Sequence, residues 1–128
     1  MSDGYVAAAI DELPDLWDGF ANLVREGTGI TAFGVQIMNL PPDYSTKSHD
    51  ESETGQEELY VALSGSGGVL IDGEGRTVPL DENHLVKVDA GTARTLTSGP
   101  EGLRVLCVGG TPGKAYEVPG WTTGKEDF

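Results

Sequence analysis

The hydrophobic positions of this chain fall in two textures. Between residues 11 and 26, Leu13, Leu16, Trp17, Phe20, Leu23 and Val24 recur at three- and four-residue steps. That spacing predicts an amphipathic helix with one apolar stripe. Pro14 suits a first helical turn and Gly27 a helix end, while Gly19 lies inside the pattern at a cost of about 1 kcal/mol relative to Ala. After Gly29 the period shortens to two, as in a strand. Phe33, Val35 and Ile37 alternate on one face until Pro41-Pro42 ends the run.

Further short strands are predicted over residues 58–64, 68–71, 76–80, 84–88, 93–97 and 103–108. Asp72-Gly73-Glu74-Gly75 is a strong hairpin turn, and Ser64-Gly65-Ser66-Gly67-Gly68 and Ser98-Gly99-Pro100-Glu101-Gly102 read as further turns. Short strands at this spacing imply a sandwich or closed barrel, and no helix between them allows a parallel α/β sheet. A single domain over residues 1–128 is expected: a helical segment at about 11–26, a barrel at about 29–110, and a tail at 111–128 wrapping an outer face through Tyr116, Pro119 and Trp121.

Charge narrows the partners. Twenty-one acidic residues against 8 basic ones give a formal net charge of −13. Such a surface repels phosphate backbones and anionic lipid, which argues against nucleic acid and membrane as partners. Solubility, or adaptation of the host to salt, accounts for the acidity. No basic n-region or spanning apolar run is present, so a cytoplasmic location is expected. The lone cysteine, Cys107, lies in an apolar run and reads as a buried small hydrophobe.

Residues 49–65 and 89–94 carry the one family likeness. Glu58-Leu59-Tyr60-Val61-Ala62-Leu63-Ser64-Gly65 matches the Glu-x6-Gly half of the first cupin motif, and His49-Asp50-Glu51 stands where that family has His-x-His. Asp89-Ala90-Gly91-Thr92-Ala93-Arg94 keeps the glycine and spacing of the second motif, with Arg94 replacing its histidine. A subgroup of small bacterial cupins is also similar, through Gly55-Gln56-Glu57-Glu58-Leu59-Tyr60 and Gly109-Gly110-Thr111-Pro112-Gly113-Lys114-Ala115-Tyr116. Gln56 stands where that subgroup often has histidine. The resemblance implies an all-β fold, a double-stranded β-helix or jelly-roll barrel, often homodimeric, with the Glu58-bearing strand face turned into the lumen.

Alternation puts Gln56, Glu58, Tyr60 and Ala62 on one face and Leu59, Val61 and Leu63 on the other. His49 and Glu51 share a face, as do Arg94, Leu96 and Ser98. Two readings of the pocket follow. In one, His49, Glu51 and Glu58, with or without Gln56, hold Fe, Mn, Ni or Zn and leave positions open for substrate. In the other, Arg94 takes the metal's place by pairing with Glu58 or Glu51, and the pocket binds a small polar ligand without a metal. His49 alternatively makes a single loop hydrogen bond, and Tyr60 either donates its hydroxyl or packs. His84 reads as an exposed turn residue, and Trp17 and Trp121 as anchors. No phosphate loop or serine elbow is present.

The function classes left standing are three. The first is an enzyme on a small metabolite (isomerase, lyase or dioxygenase) with His49, Glu58, Tyr60 and Arg94 as catalytic candidates and Glu51, Gln56 and Arg94 touching ligand. The second is a metal-free binding module, and the third a non-catalytic dimeric module.

Overall fold

The computed structural model describes residues 4–118. Its elements are β1 (Asp15–Leu16), β2 (Ala21–Asn22), α1 (Val24–Thr28), β3 (Gly34–Leu40), β4 (Glu57–Ile71), β5 (Arg76–Leu80), β6 (Val86–Val88) and β7 (Arg94–Gly110), after a single 3-10 turn at Ile10–Glu12. All strand pairs are antiparallel, in the order β1-β2-β3-β7-β4-β5, with β6 on β4.

The helix expected over residues 11–26 is instead a β-hairpin followed by the five-residue α1. Trp17, Asp18 and Gly19 all have positive φ (51°, 54° and 86°), a left-handed run that no α-helix contains. It reverses the chain so that Asp15 faces Asn22 and Leu16 faces Ala21. Asp18-Gly19 is a common hairpin turn pair, and here it overrides the helical spacing. The apolar residues still reach the interior: Leu13, Ala21 and Leu23 are buried, and Leu16 and Phe20 pack on the core. Trp17 lies outside that set, exposed and edge-on to Phe20.

The strands predicted at 58–64 and 68–71 are one 15-residue strand, and those at 93–97 and 103–108 are one of 17 residues. The two pair along their whole lengths, with register shifts between Ala62 and Ser64 and between Gly65 and Gly67. The stretches read as turns are bends in a continuous ladder. Glycine is what permits them, because a Cβ on Gly65 would lie 2.2 Å from the Gly102 carbonyl oxygen and one on Gly67 would lie 2.0 Å from that of Thr97. The hairpin at 72–75 forms as expected, and β5 has the predicted bounds.

Because β4 and β7 bend together, each belongs to both walls of a jelly-roll barrel. Their 57–65 and 103–110 halves lie with β1, β2, β3 and β6. Their 67–71 and 94–98 halves lie with β5 and with the segment bridged through Ser45–Thr97 and His49–Arg94. Directly opposed residues share a face, so the register orders the inner wall in rows. Gly34, Gly109, Glu58 and Val88 make the outermost row, Gln36, Cys107, Tyr60 and Val86 the next, and Met38, Val105 and Ala62 a third. Polar groups therefore sit at one end of the lumen, above a core that includes Met38, Leu80, Leu96 and Val105.

Gly67→Ala is expected to destabilise the fold by about 2 kcal/mol or more, because the new methyl meets backbone that cannot step aside. Gly73→Ala, with nothing within 4 Å of its Cβ position, is expected to stay within about 0.5 kcal/mol. Urea unfolding of the two variants checks the contrast.

Candidate functional site

Arg94 organises the polar end of the lumen. Its side chain is fully buried, and a permanent cation without water needs partners for its donors. Nη2 donates to Glu58 Oε1 at 2.5 Å, Nε to the Tyr60 hydroxyl at 3.1 Å, and Nη1 to the Thr92 carbonyl at 2.8 Å. The Tyr60 hydroxyl in turn donates to the same Glu58 oxygen at 2.6 Å. Tyr60 thus both packs, at 1% exposure, and donates.

Strand geometry explains the convergence. Glu58 and Tyr60 are two apart on β4 and so project to one side. Arg94 opens β7 and is tied to His49 by reciprocal backbone hydrogen bonds of 3.0 and 2.9 Å. That bridge brings the His49 ring to the cluster, with Nε2 at 3.5 Å from Glu58 and 3.6 Å from Glu51. Glu51 is placed by its backbone N–H on the Ala90 carbonyl at 2.7 Å, and Thr54 Oγ1 approaches its carboxylate at 3.5 Å.

The two carboxylates have opposite electrostatics. Burial pushes Glu58 up, but hydrogen bonds from His49 and Tyr60 and the charge of Arg94 outweigh it, so its pKa lies below the usual value. Glu51 is pushed up, first by burial and then by the negative charge of Glu58. Burial pulls Arg94 down, yet Tyr60 and Glu58 more than restore it, and it stays charged. Tyr60 is driven well above its ordinary value by burial and by Glu58.

Five of the residues singled out from the sequence therefore come together: His49, Glu51, Glu58, Tyr60 and Arg94. Gln56 does not join the cluster. It is buried, with its amide donating to the Glu117 carbonyl at 2.8 Å. His84 is exposed and held by Asp81 at 2.8 Å, away from the site. Cys107 lies in the inner wall opposite Tyr60, its thiol pushed up by burial and by Glu58.

Tyr116 escaped assignment as a site residue. The described part of the tail runs past the polar end of the lumen instead of only across an outer face. A Cβ on Gly34 would lie 2.5 Å from the Tyr116 ring, and the Arg25 guanidinium stands 5.5 Å from its centroid. Burial raises its hydroxyl to about 12, with Arg25 opposing and Glu26, Glu51 and Glu58 adding to the effect. Trp121 and Pro119, expected as tail anchors, lie outside the described residues.

The molecule is thus an all-β jelly-roll barrel with a charged site at one end of its lumen. That architecture is the cupin fold, and the comparisons bear it out. A cupin protein from Bacteroides fragilis superposes over 99% of this chain and 98% of its own, at a TM-score of 0.68 and 19% identity. A sugar phosphate isomerase from a cupin superfamily, from Silicibacter pomeroyi, covers 70% of this chain and 57% of its own, at a TM-score of 0.58 and 18% identity. In sequence, a glucose-6-phosphate isomerase from Pyrococcus abyssi is 36% identical over 69 residues, which is 51% of this chain and 36% of that protein. Its counterpart from Pyrococcus horikoshii is 33% identical over the same length. The chain spans about a third of the length of these curated relatives. No family model matches it. Among the described residues, no helix is long and apolar enough to cross a membrane.

The electrostatics predict opposite stability effects at the two glutamates. A folded-state pKa below the unfolded one makes the Glu58 carboxylate stabilising above the unfolded value, and that contribution is lost as pH falls through the folded pKa. The raised pKa of Glu51 makes its ionised form a cost at neutral pH, relieved as pH falls below that pKa. Glu51→Gln is expected to raise Tm at pH 7 and Glu58→Gln to lower it. Arg94→Met, which strands the Glu58 charge, is expected to cost about 3 kcal/mol, partly recovered when combined with Glu58→Gln. Thermal and urea unfolding between pH 3 and 8 checks all three.

Proposed function

We propose that the protein is an isomerase acting on a small hydroxycarbonyl metabolite by proton transfer at the polar end of the lumen. One observation carries this reading: a single imidazole lies within 3.6 Å of two carboxylates, of which Arg94 and Tyr60 hold only one. Carboxylates pushed to opposite pKa values by their surroundings divide acid–base labour. Glu58 stays an anion and anchors Arg94 and Tyr60. Glu51, whose pKa is raised by burial and by the charge of Glu58, is the group suited to take and return a proton.

In this reading Glu51 removes the proton from the carbon next to the substrate carbonyl. The electron pair forms a carbon–carbon double bond, and charge passes to the carbonyl oxygen, where the His49 N–H turns from Glu58 to meet it. Transfer of a hydroxyl proton and return of the carbon proton to the former carbonyl carbon complete the isomerisation with no oxidant or reductant. The glucose-6-phosphate isomerases and the sugar phosphate isomerase that the chain resembles support this reaction class.

A second reading has its own support. His49, Glu51 and Glu58 offer ligand atoms within 4.8 Å of one another, a donor set that suits Fe, Mn, Ni or Zn. Their charge balance also admits a cation, since Arg94 offsets one of the two carboxylates. Arg94 and Tyr60 compete for the Glu58 oxygen that lies nearest the His49 ring, and a metal would have to share it. A divalent ion held there would supply Lewis-acid polarisation of the substrate carbonyl.

We also propose that the protein is a homodimer, joined through the outer face of the wall that holds β3, β6 and the 57–65 and 103–110 halves of β4 and β7. Phe33, Leu63 and Leu85 are exposed there, beside half-buried Leu59, Val61 and Val108. An apolar sheet face of this kind suits a second copy.

Aldoses, ketoses and their phosphates incubated with the protein in D2O test the reaction. At least one should gain deuterium at the carbon next to the carbonyl, with a loss of a hundredfold or more in Glu51→Gln. Absence of exchange across the panel rejects the isomerase in favour of binding alone. Elemental analysis of tag-free protein decides the second reading: a stoichiometric first-row metal lost in His49→Ala and Glu58→Ala supports it, and metal-free protein with full exchange activity rejects it. For the dimer, Leu85→Glu should convert a dimer to a monomer in light scattering.

A further inference from the structure

Gln36 is a polar side chain of the inner wall that the site described above does not use. It is 4% exposed, and neither its amide nitrogen nor its amide oxygen has a hydrogen-bond partner among the described residues. Burying an amide without partners is costly, and among the described residues the Arg25 Nε is the one other buried side-chain nitrogen or oxygen left without a partner. Thr46, Gln56 and Arg94 are all satisfied. Gln36 faces the lumen, because it lies directly opposite Cys107, which lies directly opposite Tyr60. That row is one step below Glu58 and two strand spacings, about 10 Å of backbone, from the Tyr60 side.

The chemistry of the amide limits what it can meet. It offers two donors and an acceptor and carries no charge. A hydroxyl both donates and accepts, so it can answer both halves of the amide, whereas a carboxylate or phosphate answers only the donor half. The apolar Met38 and Val105 in the next row exclude bulk water from below.

We infer that Gln36 is a ligand-recognition residue: its amide binds a hydroxyl of a polyhydroxylated, sugar-like molecule whose reacting end lies at His49 and Glu51. This rests on the isomerase reading for the position of the reacting end, and it adds the substrate class and the residue that reads it. Gln36 positions the hydroxylated chain and takes no part in proton transfer.

The test uses the 128-residue chain with D-glucose, D-fructose, D-ribose, D-sorbitol, glucose 6-phosphate and fructose 6-phosphate as probes. Calorimetry gives Kd for wild type and for Gln36→Met, which keeps the volume and removes the amide. Nitrogen-15 spectra follow the Gln36 side-chain NH2 signal, assigned by its loss in the variant. The expected result is binding of at least one probe, a tenfold or greater weakening in Gln36→Met, and a shift of the Gln36 NH2 signal at saturation. Equal affinity in the variant, an unmoved NH2 signal, or no binding of any probe to wild type overturns the inference. An amide satisfied by a trapped water gives the first two of these results. Should Gln36→Met fail to fold, the wild-type NH2 signal, assigned then by through-bond correlation to its own backbone amide, alone decides. Deuterium exchange separates the two readings: binding that depends on Gln36 without exchange removes the isomerase and leaves Gln36, while exchange with unchanged KM in Gln36→Met does the reverse.

Discussion

A guanidinium sealed inside a barrel is the constraint from which the site follows. Arg94 cannot shed its proton, so its burial is tolerable only where fixed acceptors replace water. The chain supplies them from three places: Glu58 and Tyr60 on β4, and the Thr92 carbonyl in the loop that leads into β7. The backbone bridge between Arg94 and His49 then carries the imidazole to the same spot. What begins as a solvation requirement ends as a cluster of one cation, two carboxylates, an imidazole and a phenol.

The barrel gives that cluster a direction. Successive rows of the inner wall pass from Glu58 and Gly109, through Tyr60, Cys107 and Gln36, to Met38 and Val105. Polarity falls along this series, and interactions between charges strengthen as water is excluded. Within it the two glutamates differ only in company. Burial raises both; at Glu58 the contacts with His49, Tyr60 and Arg94 outweigh it, while at Glu51 the charge of its neighbour adds to it. The proposed division between an anchoring and a proton-transferring carboxylate follows from which of them the hydrogen bonds of His49 and Tyr60 and the charge of Arg94 favour over burial.

Sequence reading went far where a rule of period two applied. Alternation put Glu58 and Tyr60 on one face, and motif spacing set Arg94 opposite them. The Asp72–Gly75 hairpin and β5 were legible from turn chemistry. The long strands were not, because the glycines at 64–68 and 98–102 announce a bend equally well for a turn and for a bulged ladder. The N-terminal hairpin was hidden by apolar residues whose spacing also fits a helix, although Asp18-Gly19 carried the contrary signal. Gln36 could have been found: if Phe33, Val35 and Ile37 face one side, Gln36 faces the other. Tyr116 could not, since its place against Gly34 depends on a path of the tail that no local pattern encodes.

The most direct test of this electrostatic arrangement is a carbon-13 NMR titration of the Glu51 and Glu58 side-chain carboxyls, assigned with the single Gln variants. The expected result is a midpoint for Glu58 below that of an ordinary glutamate and one for Glu51 above it, with the Glu58 midpoint rising in Arg94→Met. Two carboxyls titrating together at the ordinary value, unmoved by loss of Arg94, would contradict the arrangement.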